Sequence, residues 1–154
     1  MLENPHVTST ARQPTAVIRF TIPRDEIQAV MGPAIGEVMA TVKAQGLGPA
    51  GPVFSRHFRM DPEVFEFEVG VPVPRAVEPA GRVVASELPA TRVARAVYRG
   101  PYEGLGQAWG EFIAWIEAQG LEHGPSLWES YVAGSESGSD PTAWRTEFNR
   151  PLVD

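Results

Sequence analysis

The sequence predicts an α+β protein built from two β-α-β-β units. Three observations carry that expectation. Short β-rich segments alternate with two stretches of helical periodicity. The order strand, helix, strand, strand occurs twice. Landmarks also recur in the same order: Ala44-Gln45-Gly46-Leu47 returns as Ala118-Gln119-Gly120-Leu121, and Gly51-Pro52 as Gly124-Pro125. Glu68, four residues before Pro72, returns as Glu147, four before Pro151. The expected architecture is a duplicated β-α-β-β fold with pseudo-twofold symmetry and antiparallel sheet or sheets. Both helices lie on one side, and a ligand cleft lies between the halves.

Taken in order, residues 1–14 are polar with scattered Pro, Thr and Ser, and read as a disordered tail. A single domain is expected over 15–152, made of repeats 15–73 and 89–152. Residues 16–22 are β-rich and stop at Pro23. Ile27, Val30, Met31, Ala34, Ile35, Val38 and Val42 recur at helical spacing, and Gly46 ends that helix. Residues 53–58 and 64–71 read as strands joined by a turn at Asp61-Pro62. The Pro-rich stretch 72–89 is a linker, with a short edge strand at 82–85. Residues 92–98 form a strand that turns at Gly100-Pro101. Leu105, Ala108, Trp109, Phe112 and Ile116 form the second helical stripe, taken as core. Residues 127–132 and 144–150 are the last strands, with a loop at 134–140 between them.

Composition excludes several functions. The 154 residues are 43% hydrophobic and 21% charged, a globular balance rather than a disordered one. The net charge of -6 and the lack of a basic patch argue against direct nucleic-acid binding. There is no cysteine, and His6, His57 and His123 lack ligand spacing, so no metal is expected. No Gly-x-Ser-x-Gly elbow occurs. The glycines from Gly104 to Gly110 lack the βαβ setting of a dinucleotide fingerprint, so no cofactor is expected. No apolar leader or membrane span is visible, which reads as a soluble cytoplasmic protein. No interface signature points to a protein partner, and such a partner stays open.

Alternation assigns faces. Trp144, Thr146 and Phe148 share one side of the last strand, and Arg145, Glu147 and Asn149 share the other. The repeat matches Trp144, Thr146 and Phe148 to the core-facing Phe65, Phe67 and Val69, so Glu147 and Glu68 are expected on the open face. Leu127, Glu129 and Tyr131 share a side and match Phe54, Arg56 and Phe58 through the Gly-Pro landmark. Glu129 and Glu147 are therefore expected on one face of a hairpin, in a pocket with walls Phe54, Phe58, Leu127 and Tyr131. Its polar set is Arg56, Glu68, Glu129 and Glu147. Trp128 falls on the opposite side by strict alternation, and a bulge or strand twist would bring it to the rim. Tyr102 lies at the rim.

These segments also resemble a known family. Tyr98-Arg99-Gly100-Pro101-Tyr102-Glu103-Gly104-Leu105, Trp128-Glu129-Ser130-Tyr131 and 145–152, with 65–73 in the first half, are similar to the GyrI-like small-molecule-binding domain. That domain forms the effector-binding part of AraC- and MerR-type regulators. The resemblance covers roughly residues 15–152. It implies a lipophilic, often cationic ligand held by an acidic residue among aromatics. Glu147 stands at the ligand-facing glutamate, and Trp128 with Glu129 at the aromatic–Glu pair. It also implies an alternative: some stand-alone members hydrolyse reactive cyclopropane-bearing natural products, with Glu129 or Glu147 activating water. The chain leaves no room for a helix-turn-helix, so a stand-alone member is expected. Arg56, where the second repeat was matched to carry Glu129, is a departure from a purely cation-binding pattern.

Overall fold

The computed structural model describes residues 2–60, 63–133 and 143–153. The expected turn at Asp61-Pro62 and loop at 134–140 lie outside the described residues. The chain divides into two compact units, Ala11–Ala90 and the combination of Met1–Thr10 with Thr91–Asp154. β1 (Leu2–Ser9) belongs to the second of these.

The first unit runs β2 (Gln13–Pro23), α1 (Ile27–Ala44), β3 (Phe54–Met60), β4 (Val64–Pro72) and β5 (Val84–Leu88). Its strands lie in the order β3-β4-β2-β5, every neighbour antiparallel. Ala34, Val38 and Val42 form a buried stripe on α1, four residues apart, and pack on Ile18 and Phe20 of β2 and Phe67, Val69 and Val71 of β4. The second unit runs β6 (Arg92–Arg99), α2 (Leu105–Ala118), β7 (Glu122–His123), β8 (Leu127–Ala133) and β9 (Arg145–Val153). Its order is β1-β6-β9-β8, with β7 added to β9. Ala108, Phe112 and Ile116 of α2 pack on Ala94, Ala96 and Tyr98 of β6 and Phe148 of β9. Both units thus follow strand, helix, strand, strand.

The recurring Ala-Gln-Gly-Leu is one helix stop used twice. Gly46 and Gly120 take φ of 67° and 73°, a left-handed conformation glycine adopts without a Cβ penalty. Leu47 N–H donates to the Val42 carbonyl at 2.9 Å, and Gly46 N–H to that of Lys43 at 3.1 Å. Leu121 N–H donates to Ile116 at 3.2 Å, and Gly120 N–H to Glu117 at 3.0 Å. This double bond pattern satisfies carbonyls that the helix end leaves without partners, and each Leu packs against its own unit's core.

Residues 1–14 differ from the expected tail. Leu2–Ser9 is β1, paired with β6 from Leu2 opposite Tyr98 to Ser9 opposite Arg92, and β2 already begins at Gln13. The edge of β6 carries a row of backbone donors and acceptors, and pairing satisfies them despite the weak β-propensity of the segment. β5 likewise lies at 84–88 rather than 82–85, because pairing with β2 sets its bounds. The last strand runs on through Pro151, opposite Val93. The β8 ladder on β9 ends at Asn149, so the missing proline N–H costs that ladder nothing.

Gly70 marks a close approach in β4. A Cβ there would run into the Ala16 carbonyl oxygen and come within 2.8 Å of Val17 Cγ1. Gly70→Ala is expected to cost about 1–3 kcal/mol. Urea unfolding should show a lower midpoint at unchanged slope, and an unshifted midpoint would contradict the packing described.

Candidate functional site

The register of β8 on β9 decides which side chains meet. Glu129 pairs with Phe148, Trp128 with Asn149, Ser130 with Glu147 and Tyr131 with Thr146. Residues directly opposite in an antiparallel pair share a face. Phe148 belongs to the core under α2, so Glu129 and Tyr131 point to the helix side. Glu147 shares the other face with Ser130 and Trp128. The expectation that Glu129 and Glu147 share one hairpin face is therefore corrected, and so is the side assigned to Trp128. Alignment on the Gly-Pro landmark matched Phe54 with Leu127. The pairings match Phe54, opposite Gly70, with Trp128, opposite Asn149. A one-residue slip exchanges the faces of every side chain on a strand.

Glu129 is 8% exposed. Trp109 of α2 donates its indole N–H to Oε2 at 2.7 Å, and the Tyr131 hydroxyl donates to Oε1 at 3.2 Å. Burial pushes the Glu129 carboxyl above the usual carboxylate range, and the two hydrogen bonds only partly offset it. Aromatic rings surround this group. Trp109 stacks on Phe148 with centroids 4.3 Å apart. Tyr131 meets Tyr102 at 5.9 Å, and Tyr102 meets Trp144 at 4.9 Å. Tyr102 is the exposed member, at 38%. The turn between β6 and α2 positions it: the Tyr98 hydroxyl donates to the Pro101 carbonyl at 2.9 Å, and Gly100 N–H donates to the Trp144 carbonyl at 2.9 Å. Thr146 lies opposite Tyr131, and its Oγ1 is buried without a hydrogen-bond partner.

The other carboxylates are differently placed. Glu147 is half-buried, with Arg95 Nε at 3.5 Å, and it accepts from Asn149 Nδ2 at 3.2 Å. Arg95 also donates to Asn149 Oδ1 at 2.7 Å. Glu68 is 2% exposed and accepts from Arg19 at 2.7 Å and from the Ser86 hydroxyl at 3.0 Å. Arg56 stands opposite Glu68, and Phe58 sits beneath both the Arg56 and Arg19 guanidinium groups. Phe54, Leu127 and Trp128 are buried. Among the candidates, then, the second unit gathers Glu129, Tyr131 and Tyr102, and the first gathers Arg56, Phe58 and Glu68.

Trp109, Thr146 and Trp144 were not foreseen as site residues. For Trp109 a signal existed: a buried indole N–H needs an acceptor, and a stripe of core positions does not supply one. The position matching Glu129 in the first unit is Ser55, and that matching Tyr131 is His57. Ser55 Oγ lies 3.1 Å from His57 Nε2. His57 stacks on Phe67, and burial pushes its pKa down to about 4, so it is neutral at pH 7. Among the described residues no group of three His, Asp or Glu side chains is placed to hold a metal.

The raised Glu129 pKa has a definite sign for stability. The protonated form is favoured by the fold, so the benefit is complete below the unfolded value near 4.5 and is lost as pH rises through the folded value. Glu129→Gln is therefore expected to raise Tm at about pH 8, by about 2–4 °C for each kcal/mol of relieved burial cost. The gain should shrink as pH falls toward 4.5. A Tm that drops in the variant, increasingly so with pH, would show that the charge is welcome in the fold.

Residues 3–147 match the GyrI-like small molecule binding domain. No curated protein sequence matches the chain. The C-terminal domain of EcmrR superposes with a TM-score of 0.81 at 20% identity, covering 100% of this chain and 99% of that one. EcmrR in its DNA complex gives 0.84 at 22% identity and covers 98% of this chain, which spans 57% of that longer one. SAV2435 bound to tetraphenylphosphonium gives 0.65 at 12%, covering 97% and 94%. A hydrolase from Listeria innocua gives 0.66 at 13%, covering 98% and 92%. At these identities the structural likeness is one of fold. Because the match runs across most of both units, the chain belongs to the GyrI-like small molecule binding domain family.

Proposed function

We propose that this protein binds a lipophilic cation at Glu129, among the rings of Tyr102, Trp109 and Tyr131. The observation that carries this reading is a buried carboxylate met by two neutral donors and, among the described residues, by no guanidinium within ion-pair distance. A buried charge without a counter-ion is costly, and the fold has already removed its water. An entering cation supplies the missing charge, while its apolar shell replaces solvent around the rings. The faces of Trp109 and Tyr131 add cation–π attraction. A small hydrophilic cation gains less, because it must shed its own hydration. Tetraphenylphosphonium, the ligand of SAV2435, has this chemistry. Glu147 already has Arg95 beside it and is assigned a supporting place rather than the ligand's charge partner. The acidic balance of the chain supports action without direct nucleic-acid contact, and a cytoplasmic setting is proposed with it. Among the described residues no helix is long and apolar enough to cross a membrane.

Tetraphenylphosphonium is expected to quench the tryptophan fluorescence saturably. Glu129→Gln should weaken binding by about tenfold or more, and Glu147→Gln by less than about threefold. Unchanged affinity in Glu129→Gln would remove the basis of the assignment.

The raised Glu129 pKa favours a second reading, a hydrolase of cyclopropane-bearing electrophiles. A carboxylate with a pKa nearer neutrality is a better proton acceptor. Glu129 would take a proton from water as the water oxygen bonds to a ring carbon. The strained C–C bond breaks, and its electron pair passes into a conjugated dienone, whose oxygen becomes a phenolate and is then protonated. The test is ring opening of a cyclopropane-fused cyclohexadienone followed by absorbance. The expected result is a rate above buffer that falls by about a hundredfold in Glu129→Gln. A rate equal to buffer with several such substrates excludes this reading and leaves the binding proposal standing.

A further inference from the structure

The first unit holds a group of charges that cation binding at Glu129 does not use. Three guanidinium groups, Arg12, Arg19 and Arg56, meet two carboxylates, Glu68 and Glu87. Arg12 pairs with the Glu87 carboxylate, and Arg19 pairs with that of Glu68 at 2.7 Å. The Ser86 hydroxyl lies 3.0 and 3.1 Å from the two Glu68 oxygens and shares its one proton between them, so Glu68 is held by Arg19 and Ser86. Arg56 is left over. Its Nη1 donates to the Glu87 backbone carbonyl at 3.0 Å, and its Nε is buried with no acceptor. No carboxylate lies within ion-pair distance of it among the described residues.

The surplus cation is also shaped. The Arg56 guanidinium carbon lies 4.7 Å from the Phe58 ring centroid, and that of Arg19 lies 5.1 Å from the same centroid. The register of β3 on β4 shifts between His57 and Arg59, and Phe58 sits at that irregularity. Burial pulls the Arg56 pKa below the ordinary arginine range, against an opposing pull from Glu68. Arginine stays charged under such a shift, so the group bears a burial cost that the nearby Glu68 and Glu87 offset only in part. A planar oxyanion would relieve it through charge-assisted hydrogen bonds, and an attached aromatic ring would lie against Phe58.

We infer that Arg56 and Phe58 form a second binding site, which takes a planar aromatic carboxylate and is distinct from the site proposed at Glu129. Arg56 supplies the charge and the hydrogen bonds. Arg19, committed to Glu68, also lies close to the Phe58 ring. This site selects the sign opposite to that expected at Glu129.

The test is isothermal titration of the full chain with 2-naphthoate and with 2-naphthamide, its uncharged match in shape. The carboxylate is expected to bind about tenfold more tightly than the amide. Arg56→Gln should erase that margin and leave tetraphenylphosphonium binding unchanged. Arg56→Lys keeps the charge but loses the planar fork, so part of the margin should go; this variant carries the test if Arg56→Gln does not fold. Equal affinities for the two naphthyl probes, or no measurable binding of either, overturn the inference. So does a margin that survives substitution of Arg56.

Discussion

Glu129 stands opposite Phe148 across the β8–β9 ladder, and this pairing turns a charged residue toward the core of its own unit. The rest of the site follows from that placement. The α2 helix covers the face, and Trp109 is the helical residue that reaches the carboxylate with a donor. Tyr131, two residues along on the same face, reaches the other oxygen. Phe148, next to both, stacks under Trp109. A carboxylate held this way is buried and hydrogen-bonded but, among the described residues, has no counter-ion. Burial of this kind works against the charged form, and so against the stability of the fold as pH rises.

Three buried or half-buried glutamates show how far environment, rather than residue type, sets chemistry. Glu68 is closed off by Arg19 and Ser86 and belongs to the structure. Glu147 faces Arg95 and Asn149 in a polar group that already balances its charge. Glu129 has two neutral donors and a wall of rings. An ion pair and a pair of neutral hydrogen bonds both satisfy oxygen lone pairs, but only the ion pair cancels the field. That difference singles out Glu129.

The two units share a scaffold and differ in what it carries. The helix stops at Gly46 and Gly120 use the same backbone bonds, and the buried stripes of α1 and α2 occupy matching positions. At the positions of Glu129 and Tyr131, however, the first unit has Ser55 and His57. Burial keeps His57 neutral, so this pair carries no charge under its helix. On the opposite face the first unit has Arg56 where the second has Ser130. Within its own unit, Glu129 thus lies on the face that meets α2, and Arg56 lies on the face away from α1.

Local pattern was enough for much of the fold. The two helices, their glycine stops and the strands after them follow from periodicity and turn chemistry that act within a few residues. Glu129, Tyr131 and Tyr102 were recognisable as candidates from their types and neighbours along the chain. Their partners were not. β1 forms because β6, more than eighty residues away, offers an edge, and no property of a polar N-terminal segment announces that. The side faced by Glu129 depended on one residue of register, and the repeated landmarks were too loosely spaced to supply it. Sequence alone therefore determined the α+β class, the repeated order of elements and the acidic, aromatic character of the second half, because these depend on local preference. Only the tertiary structure decided that Glu129 is buried under Trp109, that Glu147 is balanced by Arg95 and that, among the described residues, no carboxylate comes within ion-pair distance of Arg56. Burial and charge pairing depend on groups brought together from distant parts of the chain.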